Sequence, residues 1–171
     1  MFIKMGGAGM NITVYHGGTD IVSCPIVSLG RKNLDFGVGF YTTKLQSQAE
    51  SWAQRGSRFW SKPAIVNVYS FDIDDCIVSY RYLNFEEYNE EWLDFIVANR
   101  QGKNLAANYD IIEGGIANDR VIDSIEAYIA GLMPKDLCLE RLSEHRPNNQ
   151  ICFLNQEACD KYLHFVKYYN L

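Results

Sequence analysis

The chain has 171 residues, 47% apolar and 22% charged, a globular balance that excludes disordered, collagenous and coiled-coil classes. Sixteen basic residues against twenty-one acidic ones leave a formal charge of −5. That charge offers no general field for a phosphate backbone, so general nucleic-acid binding is not expected, and only a local basic patch around Arg31 and Lys32 or Arg55 and Arg58 stays open.

Residues 1–10 lack the sustained apolar core of a secretory signal and read as a flexible or added leader before a single domain over 11–171. The first strand is ITVYH, Ile12 to His16, rich in β-branched residues and stopped by Gly17-Gly18. Asp35 to Thr43, DFGVGFYTT, opens with a glycine turn and closes as a short strand. A helix over Lys44 to Arg55 follows, with Thr43 as its N-cap and Leu45, Ala49 and Trp52 at helical spacing on the inner side. Ala64 to Ile73 is a second strand, and the apolar run Cys76 to Tyr80 reads as a further extension of the sheet. NEEWLDFIVANR predicts a helix with Trp92, Phe95, Ile96 and Asn99 on one face. Asp110 to Glu113 predicts a strand before a double-glycine turn. RVIDSIEAYIAG predicts an amphipathic helix through Ile122, Ile125, Tyr128 and Ile129, ended by Gly131, and Pro134 starts another. QICFL is a strand, NQEACDKY a short helix and LHFVKYYNL a last alternating strand. Strand and helix mix without strict βαβ alternation, which favours α+β over a doubly wound sheet, with the first strand and QICFL in one central sheet.

The five cysteines, Cys24, Cys76, Cys138, Cys152 and Cys159, are odd in number and show no CxxC spacing, and His16, His145 and His164 form no HxxxH or HExxH. No metal site is therefore expected, and free thiols point to a reducing, cytoplasmic setting. No apolar stretch approaches the roughly 18 residues of a membrane span, so no membrane partner is expected. The sequence also lacks a dinucleotide fingerprint, a P-loop and a GxSxG elbow.

One constellation remains. A strand ends in Tyr15-His16-Gly17. About twenty residues later Asp35–Thr43 leads into a helix carrying Gln48-Ala49 and Trp52-Ala53. Late in the chain Asn148-Asn149-Gln150 opens a strand. These pieces resemble the ADP-ribosyltransferase superfamily. They are most similar to a family of small, largely uncharacterised bacterial proteins grouped with it, in which YHG, DFGxGFYTT, a QA..WA helix and a late NxQ strand recur. WLDFIVANR and YDIIEGGIAND also resemble that family's middle segments, so the likeness runs from about Ile12 to Phe165.

The resemblance implies a split mixed β-sheet of α+β class, with helices packed around it and NAD held as substrate in its cleft. It implies His16, Tyr41 and Gln150 as the catalytic set, and His16, Gly17, Gly39 and Tyr41 as the NAD-binding set. The activity implied is mono-ADP-ribosyl transfer from NAD to a macromolecular acceptor, or NAD hydrolysis. Bacterial members of this kind often look like toxins or defence effectors, an association and not a mechanism. The residue types fit that chemistry. Nicotinamide leaves NAD as a cationic leaving group through an oxocarbenium-like transition state. A strand-end imidazole can hold a ribose hydroxyl, a glycine lets the backbone approach the carboxamide, and a tyrosine ring can stack on the pyridinium.

Gln150 departs from the superfamily's usual Glu. An amide orients a hydroxyl but cannot act as a base, so polymer elongation is not expected, and Gln150→Glu would restore a carboxylate. Glu113 and Asp119, first read as turn and cap residues, could lend a carboxylate instead. The alternative is a catalytically degenerate module that binds a nucleotide or a partner protein.

Overall fold

The computed structural model describes residues 9–31, 34–117, 119–145 and 148–171. Residues 1–8 of the expected leader lie outside this set. In chain order the elements are β1 (Asn11–Gly18), β2 (Phe40–Thr42), α1 (Gln46–Trp60), β3 (Ile65–Asp72), α2 (Ile73–Ser79), β4 (Tyr82–Asn84), α3 (Glu90–Arg100), β5 (Ile111–Gly114), α4 (Asp119–Ile129), α5 (Lys135–Ser143), β6 (Gln150–Phe153), α6 (Gln156–Tyr162) and β7 (Leu163–Asn170). The class is α+β, as expected. The chain divides into two compact units. One holds the described residues up to Pro25, Thr42–Arg81 and Gln156–Leu171, and the other holds Ile26–Tyr41 and Tyr82–Asn155.

The first unit is built on an antiparallel sheet in the order β1-β3-β7. Its two outer strands come from opposite ends of the chain, and β3 joins them. Helix α1 lies on one face through Ala49 and Ala53, both fully buried with Val66 beside them. The expected inner stripe is thus shifted: Leu45 is 44% exposed and Trp52 only half-buried. Two alanines win the inner face because the backbone of β1 comes too close for larger side chains. Thr43 does not cap α1. Leu45 stands at that position, and the Thr43 Oγ1 instead accepts the Leu45 amide at 3.0 Å, two residues early.

Cys76 to Tyr80 is not sheet. Cys76 to Ser79 form the end of α2, whose first turn carries Asp74 and Asp75, and Tyr80 is its C-cap. Two carboxylates at a helix N-terminus favour helix by interaction with its dipole. Helical spacing then buries Cys76 while Ile77 and Val78 face outward.

The second unit has a four-stranded mixed sheet, order β2-β6-β5-β4, with β4–β5 parallel and β5–β6 antiparallel. QICFL therefore does not share a sheet with β1, contrary to expectation. All four residues of β6 are buried, and both faces of so apolar a strand need cover. On the Cys152 side the cover is a core of Phe36, Phe85, Trp92, Leu93, Phe95, Ile96 and Ile112 with residues of α4 and α5. Each large side chain sealed in this way contributes roughly 1.5–3 kcal/mol. Helix α3 starts where Asn89 accepts the Trp92 amide at 2.9 Å, and it buries Trp92, Phe95 and Ile96 as the spacing predicts. In α4 the buried stripe runs through Val121 and Ile125, with Ile129 at the rim.

Candidate functional site

His16 and Gly17 belong to the first unit. His16 pairs with Asn67 across β1 and β3 and is half-buried. Directly opposite residues of an antiparallel pair share a face. On that face Asn67 is fully buried, accepts the Val22 amide at 2.8 Å and donates to the Asp20 carbonyl at 3.0 Å. Tyr69 donates its hydroxyl to the Val22 carbonyl. The segment after β1 is thereby folded back over the sheet on the His16 side.

Gly17 faces the other way. A Cβ built on it would stand 1.8 Å from the Ala49 carbonyl oxygen and 2.9 Å from the Ala53 amide nitrogen. No side chain fits there, so the glycine of Tyr15-His16-Gly17 and the alanines of Gln48-Ala49 and Trp52-Ala53 form one packing device. Sequence reasoning gave these residues separate meanings; their joint role needed the register of β1 against α1.

The DFGVGFY string lies in the second unit and closes on itself. Asp35 is buried, and its Oδ1 accepts Arg100 Nη2 at 2.7 Å while its Oδ2 accepts the Ala117 amide at 2.9 Å. Its carbonyl accepts Asn99 Nδ2 at 3.1 Å. Phe36 is fully buried between Phe85 and Phe95. Tyr41 donates its hydroxyl to the Gly37 carbonyl at 2.7 Å and accepts the Phe36 amide at 3.3 Å, while its ring packs against the unit's core. Burial, reinforced by the neighbouring Cys152, pushes the Tyr41 hydroxyl far above the ordinary tyrosine range. It is a fixed neutral donor, not a titrating group. A Cβ on Gly39 would meet Cys152 Sγ at 2.5 Å and the Phe153 carbonyl at 2.6 Å, so this glycine seats the loop on β6.

The Asp35 carboxylate also fastens the segment after β5, and other side chains hold the same segment. Trp92 Nε1 and Gln150 Nε2 donate to the Gly115 carbonyl at 3.2 and 3.4 Å, and Tyr88 donates to the Ile116 carbonyl at 2.7 Å. Burial raises the Tyr88 hydroxyl to about 12. Gln150 is itself buried, opposite Gly114 in the β5–β6 register.

Beside this segment opens a cleft of about 270 Å³ lined by Asn84, Phe85, Glu86, Glu113, Gly114, Gly115, Asn148 and Asn149. Glu113 is the buried carboxylate of the cleft, only 6% exposed. One oxygen accepts Asn149 Nδ2 at 2.7 Å and the other accepts the Tyr82 hydroxyl. Strand β4 supplies Tyr82, β5 supplies Glu113, and the lead into β6 supplies Asn149. Of the two carboxylates considered from sequence, Glu113 thus faces a cleft, next to the Asn148-Asn149-Gln150 string. The Asp119 side chain lies outside the described residues. Sequence reasoning missed Tyr82, Asn84 and Glu86; the alternation in RYLNF was the available signal for β4. Among the described residues no group of His, Cys, Asp and Glu is placed to hold a metal ion. No described helix is long and apolar enough to cross a membrane.

A family model described as "Protein of unknown function (DUF3990)" matches residues 12–165. The chain belongs to that family. The match spans His16, Asp35–Thr43, Glu113 and Gln150. Comparison with curated proteins and with solved structures finds no match.

Proposed function

We propose that this family member cleaves the nicotinamide–ribose bond of NAD, passing ADP-ribose to water or to a single site on a macromolecular acceptor. The observation that carries the proposal is Glu113, a buried carboxylate fixed by Tyr82 and Asn149 at a cleft with a glycine-lined wall. The volume of about 270 Å³ suits one ring with its sugar and not a whole dinucleotide. Among the described lining residues, the polar groups are carboxylates and amides. These suit ribose hydroxyls and a cationic pyridinium.

The chemistry follows from that set. The C–N bond to nicotinamide breaks and its electron pair returns to the pyridinium nitrogen, which leaves as neutral nicotinamide. Positive charge grows on the ribose, and a carboxylate held in low dielectric stabilises it without reorganising. Asn148 and Asn149 offer amides to ribose hydroxyls, and Gly114-Gly115 lets the ligand approach the backbone. Water or the acceptor's nucleophile then bonds to the anomeric carbon and gives its proton to solvent. Gln150 supplies no base, so chains of ADP-ribose are not extended.

The test is nicotinamide release from NAD, followed chromatographically, for the wild type and Glu113→Gln. Loss of one preorganised stabilising group typically costs about 10²–10³ in turnover, and that fall is expected with NAD affinity little changed. Absence of NAD binding to folded protein by calorimetry at millimolar ligand would overturn the proposal. Binding without turnover would favour the non-catalytic module, which the engagement of the Tyr41 hydroxyl and the Gln150 amide with backbone carbonyls also fits.

A further inference from the structure

Helix α1 turns Ala49 and Ala53 inward, and its outer face carries a shallow groove of about 510 Å³ lined by Ser51, Gln54, Arg55, Arg58 and Phe59. Phe59 is 76% exposed and the next residue, Trp60, 57% exposed. Their rings meet edge to face with centroids 4.7 Å apart. Leaving two such rings in water is unfavourable, and here they adjoin each other, with Phe59 lining the groove. Among the described residues, neither the Arg55 nor the Arg58 side chain has a hydrogen-bond or ion-pair partner. On a chain of net charge −5 they form a local positive island. The end of the helix is anchored. Ser61 adopts a left-handed backbone conformation with φ of 54°, Ser57 Oγ donates to the Lys62 carbonyl at 2.5 Å, and the Lys62 amide donates to the Ser57 carbonyl at 3.3 Å. The aromatic pair is therefore presented on a fixed turn.

We propose that this face of α1 binds single-stranded nucleic acid, with Arg55 and Arg58 on neighbouring phosphates and unpaired bases on the Phe59 and Trp60 rings. Residues three and four apart lie side by side on a helix, which groups Arg55 with Arg58 and Phe59. Guanidinium groups match phosphate oxygens in pairs, and open aromatic faces stack bases of any sequence. A duplex hides those base faces. An acidic peptide would satisfy the arginines but leave the rings without flat partners. The site goes beyond the cleft of the other unit and does not depend on its chemistry.

The experiment titrates the full chain into a fluorescein-labelled oligo(dT) probe, read by anisotropy across a salt series. Two phosphate contacts predict a log–log salt slope of about −1.4. The double variant Arg55→Ala/Arg58→Ala should flatten that slope towards zero. Trp60→Ala should weaken binding about tenfold and leave the slope unchanged. The mutated side chains are exposed, and circular dichroism checks that each variant is folded. Three results would each overturn the proposal: no anisotropy change with folded wild type up to about 100 µM at low salt; a slope unaltered by the double variant; or displacement of the probe by polyglutamate together with full binding by Trp60→Ala, which would make this an acidic-peptide site.

Discussion

Removing the Asp35 carboxylate tests whether DFGVGFY is a structural latch. In Asp35→Ala, Arg100 loses its carboxylate partner at 2.7 Å and the Ala117 amide loses its acceptor at 2.9 Å. Breaking a buried ion pair by deleting one partner costs about 3–5 kcal/mol. The Arg100 side chain keeps 20% exposure, so water takes up part of its charge and the lower end applies. An amide left without a partner costs about 1–3 kcal/mol, part of it already counted in that figure. The expected total is about 3–4 kcal/mol, and for a chain of this size each kcal/mol lowers Tm by roughly 2–4 °C. Urea titration with unchanged m and a Tm lowered by roughly 6–16 °C is the expected outcome. Hydrogen exchange should show the Ala117 amide losing protection before the α3 core does. A loss below about 1 kcal/mol, with Ala117 still protected, would refute the latch.

Gly17→Ala should exceed the roughly 1–3 kcal/mol of ordinary overpacking, measured as a lower urea midpoint, because the new methyl meets α1 backbone at 1.8 Å. Gln150→Glu should lower stability by about 1–2 kcal/mol and bring no gain in nicotinamide release, since it sets a carboxylate against the Gly115 carbonyl in place of a donor; a gain in turnover at full stability would contradict this. Tyr41→Phe should cost about 1–2 kcal/mol in thermal unfolding by freeing the Gly37 carbonyl and Phe36 amide. Burial first, then the charges nearby, raises the Cys159 thiol from 9.0 to about 12. The unfolded thiol releases its proton first, so this contribution is whole below pH 9 and is lost as pH rises from there through about 12. Cys159→Ala should flatten that alkaline fall in stability.

Local chemistry alone determined most of the elements. β-Branched runs bounded by glycine and proline marked β1 and β3, and 3.6-residue spacing marked α1, α3 and α4, because these signals act over a few neighbouring residues. Composition and order were enough for the α+β class. The run at Cys76 misled because a short apolar run fits strand and helix alike by pattern. Strand partners were decided only by tertiary structure. QICF could pair with any apolar strand by pattern, and its choice of β5 follows from burial on both faces. The candidate site shows the same division. The sequence exposed DFGVGFY and Asn148-Asn149-Gln150 as unusual strings but not which of their atoms were already engaged. Packing turned Gly17 into a seat for a helix, tied the Tyr41 hydroxyl and Gln150 amide to neighbouring backbone, and brought Glu113, thirty-six residues before Asn149, into hydrogen-bond reach of it. Hydrogen bonds and close contacts act over a few ångströms, and only the register of strands and helices sets which distant residues come that near.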